Sequence, residues 1–190
     1  MDLAKWIGVM AVFQVSLMAH TGVGPVSGVA AGFGHPVGGA DHVLAMVAVG
    51  LWAAQMGGRS LWAVPAAFVG MMIFGGFLGA SGVAVPFIEA GILASVIVLG
   101  ALIAAGVKVS AAAGAVIVGA FAIFHGHAHG AEMPADAGGL LYGAGFALAT
   151  LLLHGAGIAA GMGLNRLQVE RLVRMGGGAI AAGGAVLALV

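Results

Sequence analysis

Two short stretches gather the side chains able to hold a cation: FGHPVGGADHVLAM at 33–46 and FHGHAHGAE at 124–132. The first carries His35, Asp41 and His42; the second carries His125, His127, His129 and Glu132. His35 and His42 are seven apart, two helical turns, so a helix begun at Pro36 sets them near one face, with Met46 four residues further on. Asp41 adds negative charge near that helix's N-terminus, where the dipole alone would repel a cation. His125 and His129 are four apart and Glu132 three beyond, one stripe if the helix persists, at a C-terminus where the dipole favours a cation. Imidazole and carboxylate without cysteine suit the borderline divalent metals nickel, cobalt, zinc and copper(II). Hard Mg²⁺ and Ca²⁺ would call for oxygen-rich sites.

The elements that must position these residues are apolar to an unusual degree. Of 190 residues, 62% are hydrophobic and 6% charged, with mean hydropathy +1.18. Soluble domains carry roughly 25% charged residues, so this chain lacks the polar surface that water requires. The apolar runs are long and unbroken, which argues for helices rather than the alternating segments of a barrel. At about 20 residues per span, helices are expected near 3–19, 36–56, 60–81, 86–107, 110–129, 138–163 and 171–190. Pro36, Pro86 and Pro65 suit first-turn positions; Gly57-Gly58, Ser81-Gly82, Pro86 and Pro134 supply turn chemistry. The expectation is an all-α integral membrane protein, a bundle of six or seven transmembrane helices. Its 36 glycines, many spaced by four as in Gly75/Gly79 and Gly157/Gly161, suit close helix packing. Gly38 and Gly39 are read instead as leaving backbone open around a ligand.

Residues 1–19 read either as a first helix or as a cleavable signal peptide ending at Ala19, and 20–190 as one transmembrane domain. The positive-inside rule orients the bundle. With Lys5 in the cytoplasm, Arg59, Lys108, Arg166, Arg171 and Arg174 all fall in cytoplasmic connections. His20, His35, Asp41, His42, Glu89, His125, His127, His129, Glu132 and Asp136 fall outside. His154 is the exception, in the inner half of the sixth helix. The location expected is a cytoplasmic (inner) membrane. Zero net charge with no basic cluster excludes nucleic acid as a partner, leaving lipid and a divalent metal.

Intramembrane His, Asp and Glu are costly and commonly mark an ion path; two such clusters on one side favour that over incidental hydrogen bonding. Met46 reads as packing or ligand, Glu89 as a helix cap or a path residue, His127 as solvent-facing or an ion-capturing group. His154 is either a buried hydrogen bonder or a relay, and Asp136 a solvated loop charge. His20 is a further path candidate.

His35-Pro36-Val37-Gly38-Gly39-Ala40-Asp41-His42, with Ala45-Met46 and Val49-Gly50, resembles the first signature of the HupE/UreJ family of nickel/cobalt permeases. Phe124-His125-Gly126-His127-Ala128-His129-Gly130-Ala131-Glu132 resembles its second. Ala19-His20-Thr21-Gly22 is similar to the usual start of the family's mature chain, and Glu89 matches an acidic position the family tends to keep. The resemblance implies inward secondary transport of Ni²⁺ or Co²⁺ as cargo, with no prosthetic group and no enzymatic activity, in support of hydrogenase, urease or cobalamin synthesis. Zn²⁺ is chemically compatible with the same ligands. The sequence holds no P-loop, consistent with ATP-independent movement. In this reading His35, Asp41 and His42 converge with His125, His129 and Glu132 on an outward-facing dehydration site. The alternative is an intramembrane zinc-dependent hydrolase built on the same cluster, with Glu132 as general base.

Overall fold

A computed structural model describes residues 28–133 and 138–189. They form seven helices: α1 Gly28–Gly38, α2 Ala40–Met56, α3 Ser60–Ala80, α4 Ile88–Ala105, α5 Ala111–Ala131, α6 Gly139–Arg166 and α7 Glu170–Leu187. Four of them, α3 to α6, are long and apolar enough to span a membrane, and α1 with α2 adds a fifth as a pair bent by 84°. Large apolar side chains such as Trp62, Ile73, Phe77, Val116 and Leu140 lie exposed on these helices, the surface expected of a multi-pass protein facing lipid.

The described helices therefore account for four or five of the expected six or seven spans. The stretch at 3–19, His20 and Pro134 to Asp136 lie outside the described residues. The helix expected at 171–190 is present as α7, but its first turns carry Glu170, Arg171 and Arg174.

The largest correction concerns Pro36. It sits inside α1 rather than opening a spanning helix, and the chain breaks three residues later at Gly39, whose extended backbone (φ −102°, ψ 121°) starts α2. His35 and His42 thus belong to two helices across a sharp bend, not to one helical face. Pro65 lies inside α3, beyond its first turn, and Pro86 precedes α4. Ser110 caps α5, its side chain accepting from the Ala113 amide at 3.2 Å, so that helix starts close to where the sequence placed it.

Glycines knit the helices in pairs. A Cβ on Gly75 would strike the Ile123 carbonyl, one on Gly79 that of His127, and one on Gly126 that of Met72. These contacts run α3 and α5 parallel, backbone on backbone. In lipid, such small-residue contacts supply the van der Waals contact that apolar side chains alone would not favour. Gly50 meets His154 and Gly157 meets Val47, so α2 and α6 are also parallel. Gly100 and Gly184 bring α4 against α7 in antiparallel fashion. One end of the bundle therefore holds the start of α2 and α6 and the finish of α3 and α5.

The opposite end is tied by polar bonds to backbone carbonyls. The Trp52 indole donates to Val107 O at 2.9 Å, Asn165 to Ala54 O at 3.3 Å and Arg174 to Ala104 O at 2.8 Å. Arg59, Lys108, Arg166 and Arg171 flank the helix termini at this same end. The core between the two ends includes Trp52, Phe68, Met46, Leu99 and Val118, all inaccessible to solvent.

Candidate metal centre

The bend at Gly39 and the last turns of α5 meet at the end opposite the basic residues, and four imidazoles pack there ring to ring. The His129 ring lies 4.5 Å from His35 and 4.4 Å from His42, and His42 lies 4.8 Å from His125 (centroid distances). His129 is thus the pivot between an outer and an inner histidine. Both α5 residues project from one stripe because they are a turn apart, and the glycine contacts at 126 and 130 against α3 fix that stripe toward α1 and α2.

Exposure is greatest at Glu132 and His35 and least at His125. The Glu132 side chain is 55% exposed and that of His35 25%, whereas His129 is 4% exposed and His125 fully buried. Glu132 Oε2 lies 3.5 Å from His35 Nε2. One ligand atom from each of His35, His129 and Glu132 falls within 4.8 Å of the others, close enough to surround one ion.

Neighbouring groups set the tautomers. Asp41 Oδ1 accepts from the His42 amide at 2.8 Å and from His42 Nδ1–H at 2.7 Å, which leaves the Nε2 lone pair without a partner among the described residues. Ser95 Oγ donates to Ile92 O at 2.6 Å, so toward the ring 2.8 Å away it accepts from His125 Nε2–H. His125 Nδ1 is then the lone pair, buried and unpartnered. Both nitrogens of His129 are likewise unpartnered. The Tyr142 hydroxyl lies 2.8 Å from His35 Nδ1, and the other ring nitrogen, Nε2, faces Glu132. For His42 and His125, a carboxylate or hydroxyl on one ring nitrogen and an unpartnered lone pair on the other is the arrangement that orients histidine for a metal.

Of the residues singled out in the sequence, His35, Asp41, His42, His125, His129 and Glu132 come together. Asp41 arrives as the partner of His42 Nδ1 rather than as a bare anion beside the rings. His127 is directed elsewhere, to Val83 O at 2.7 Å, where it ties α5 to the connection ahead of α4. Met46 is packed in the hydrophobic core. Glu89 is exposed in the first turn of α4. His154 is buried on α6, with Phe68 between it and His125.

Sequence reasoning missed Ser95, Tyr142 and Phe146, the last packed on His129 at 4.2 Å. Two of these carried a signal. Ser95 is the one polar residue within the apolar run 90–105, and Tyr142 is the chain's single tyrosine.

The comparisons agree with this architecture. The family described as HupE / UreJ protein matches residues 8–187. Protein HupE of Rhizobium leguminosarum bv. viciae is 43% identical over 192 residues, covering 98% of each chain. No solved structure gives a significant match. With both signatures inside a match that runs nearly end to end, the chain belongs to the HupE/UreJ family, a metal-transport family and not a family of enzymes.

Proposed function

We propose that this protein is a secondary permease that carries Ni²⁺ or Co²⁺ into the cell through the histidine cluster. The observation that carries the reading is the run of rings from His35 through His129 and His42 to His125, in which Asp41 and Ser95 fix the tautomers of His42 and His125 and nitrogens of His42, His125 and His129 are buried without a partner among the described residues. Leaving a polar group buried and unpaired costs about 1–3 kcal/mol, a cost that metal ligation offsets.

A hydrated dication first meets Glu132 and His35, the exposed members. Glu132 supplies charge, and the imidazoles replace water as the ion moves inward past His129 to His42 and His125. The two carboxylates, Asp41 and Glu132, balance the double charge, so the loaded site is close to neutral in a medium that penalises net charge. Nitrogen-rich ligation disfavours Mg²⁺ and Ca²⁺. By the positive-inside rule the end bearing Arg59, Lys108, Arg166, Arg171 and Arg174 is cytoplasmic and the cluster faces outward. An inside-negative potential then favours inward movement by about 4.6 kcal/mol per 100 mV for a dication. The cargo is consistent with supply of a nickel or cobalt enzyme such as hydrogenase or urease, or of cobalamin synthesis. The zinc hydrolase alternative is set aside, because the family is one of transporters.

The test is uptake into liposomes containing the purified protein, with nickel, cobalt, zinc and manganese offered separately under an inside-negative potential. Nickel or cobalt should enter far faster than manganese. Equal entry of all four, or none, overturns the reading.

A further inference from the structure

Among the described residues, His154 is a buried histidine that the outer site leaves unused. It lies 15 residues into α6, about 22 Å along the helix axis, and is 1% exposed. Both of its ring nitrogens are buried with no partner among the described residues. Buried polar side chains are overwhelmingly hydrogen-bonded, and a residue placed only for packing would be apolar. The natural partner on its own helix, Thr150 one turn away, is directed elsewhere: its hydroxyl donates to Met72 Sδ on α3 at 3.6 Å.

Three elements converge at this level. Phe68, one turn from Met72 on α3, sets its ring 5.1 Å from His154 and 5.7 Å from His125. The outer cluster and His154 are therefore the two neighbours of a single side chain. On α2, Gly50 lets the backbone close on the His154 carbonyl, which fixes the height of α6 against the helix that carries His42. Within one helical turn of His154 and Phe68 lie the hydroxyl oxygen of Thr150 and the thioether sulfur of Met72, beside the imidazole nitrogens of His154 itself. None is charged.

We infer that His154, with Thr150 and Met72, forms a second, deeper binding position for a borderline transition-metal dication, separate from the outer histidine cluster. This rests on the transport reading above. The two positions differ in kind. The outer one has two carboxylates and captures the ion; the inner one has only neutral ligands and holds it weakly, so that it moves on. A thioether in the inner set adds selection against hard ions that the outer nitrogens and oxygens share only in part.

The experiment compares wild type, His154→Leu and Met72→Leu, the last a nearly volume-conserving change that keeps the fold. Each is read in two ways: Co²⁺ binding to detergent-purified protein by ligand-field absorption, and Ni²⁺ uptake into liposomes. His154→Leu should leave the outer site's Co²⁺ affinity within about twofold of wild type while lowering uptake at least tenfold, the scale of one lost ligand. Met72→Leu should lower uptake about threefold or more with the outer affinity likewise unchanged. Co²⁺ added to protein with His42→Ala and His129→Ala should still give a weak sulfur-containing spectrum, abolished by adding His154→Leu. Uptake by both single variants equal to wild type overturns the inference while leaving the transport reading intact. Absence of uptake in wild type overturns the transport reading instead, and the Co²⁺ spectrum of the doubly substituted protein still decides the inner position. If His154→Leu fails to fold, Met72→Leu and that spectrum carry the decision.

Discussion

Replacing Asp41 by Asn separates charge from shape at the point where the bend meets the cluster. Asn keeps an oxygen for the His42 amide, now 2.8 Å from Oδ1, and so preserves the start of α2. It removes the negative charge 2.7 Å from His42 Nδ1. With a metal about 2 Å beyond Nε2, the carboxylate and the ion are roughly 6.5 Å apart across the ring. At an effective dielectric of about 20, a unit charge and a dication at that distance attract by about 5 kcal/mol. Solvent reaching the half-buried Asp41 reduces this, and losses of such outer partners usually weaken metal binding by about 10–100-fold, or roughly 1.4–2.7 kcal/mol. The expected result lies between those limits: Co²⁺ affinity down at least about tenfold, Ni²⁺ uptake down in proportion, and thermal stability near wild type. Isothermal titration in detergent, paired with a melting curve, measures both. An affinity within about twofold of wild type would refute the reasoning and reduce Asp41 to a helix-start residue.

Other substitutions probe the shell around the rings. A Cβ at Gly39 would sit 2.8 Å from Asp41 Oδ1 and 3.0 Å from His42 Nδ1, so Gly39→Ala should displace that pair and weaken Co²⁺ binding about tenfold. Gly38→Ala, where a Cβ meets open space, should bind as wild type does. Ser95→Ala frees the His125 tautomer and should cost about tenfold in Co²⁺ affinity with little change in melting temperature. Gly126→Val would drive a side chain into the Met72 carbonyl and should destabilise the α3–α5 pair by about 3 kcal/mol or more, read as aggregation or a lowered melting temperature.

Much of the fold was legible because apolar length and turn residues dominate it. The helices α3 to α6 follow from unbroken hydrophobic runs bounded by Gly57-Gly58, Ser81-Gly82, Gly106 and Ser110. The bend was not legible. Pro36 and Gly39 signal both a helix start and a helix break, and only the packing of α1 on α6 at Gly32 and Gly145 decides between them. The two clusters were visible from residue type alone, yet their meeting is a tertiary fact: His35 and His42 share a site through His129, not through a common helical face. The orientation of individual rings was equally hidden. His127 lies between His125 and His129 in sequence but, by helical rotation, turns to Val83 O. Ser95 holds His125 from thirty residues away, a pairing no local pattern encodes.

Whether buried imidazoles bind the transported ion is read from X-ray absorption at the nickel edge of the loaded, purified protein. Several imidazole nitrogens are expected as nearest neighbours, with their ring scattering reduced in His42→Ala and in His129→Ala. A purely oxygen shell like that of hydrated nickel, unchanged by either substitution, would contradict imidazole binding.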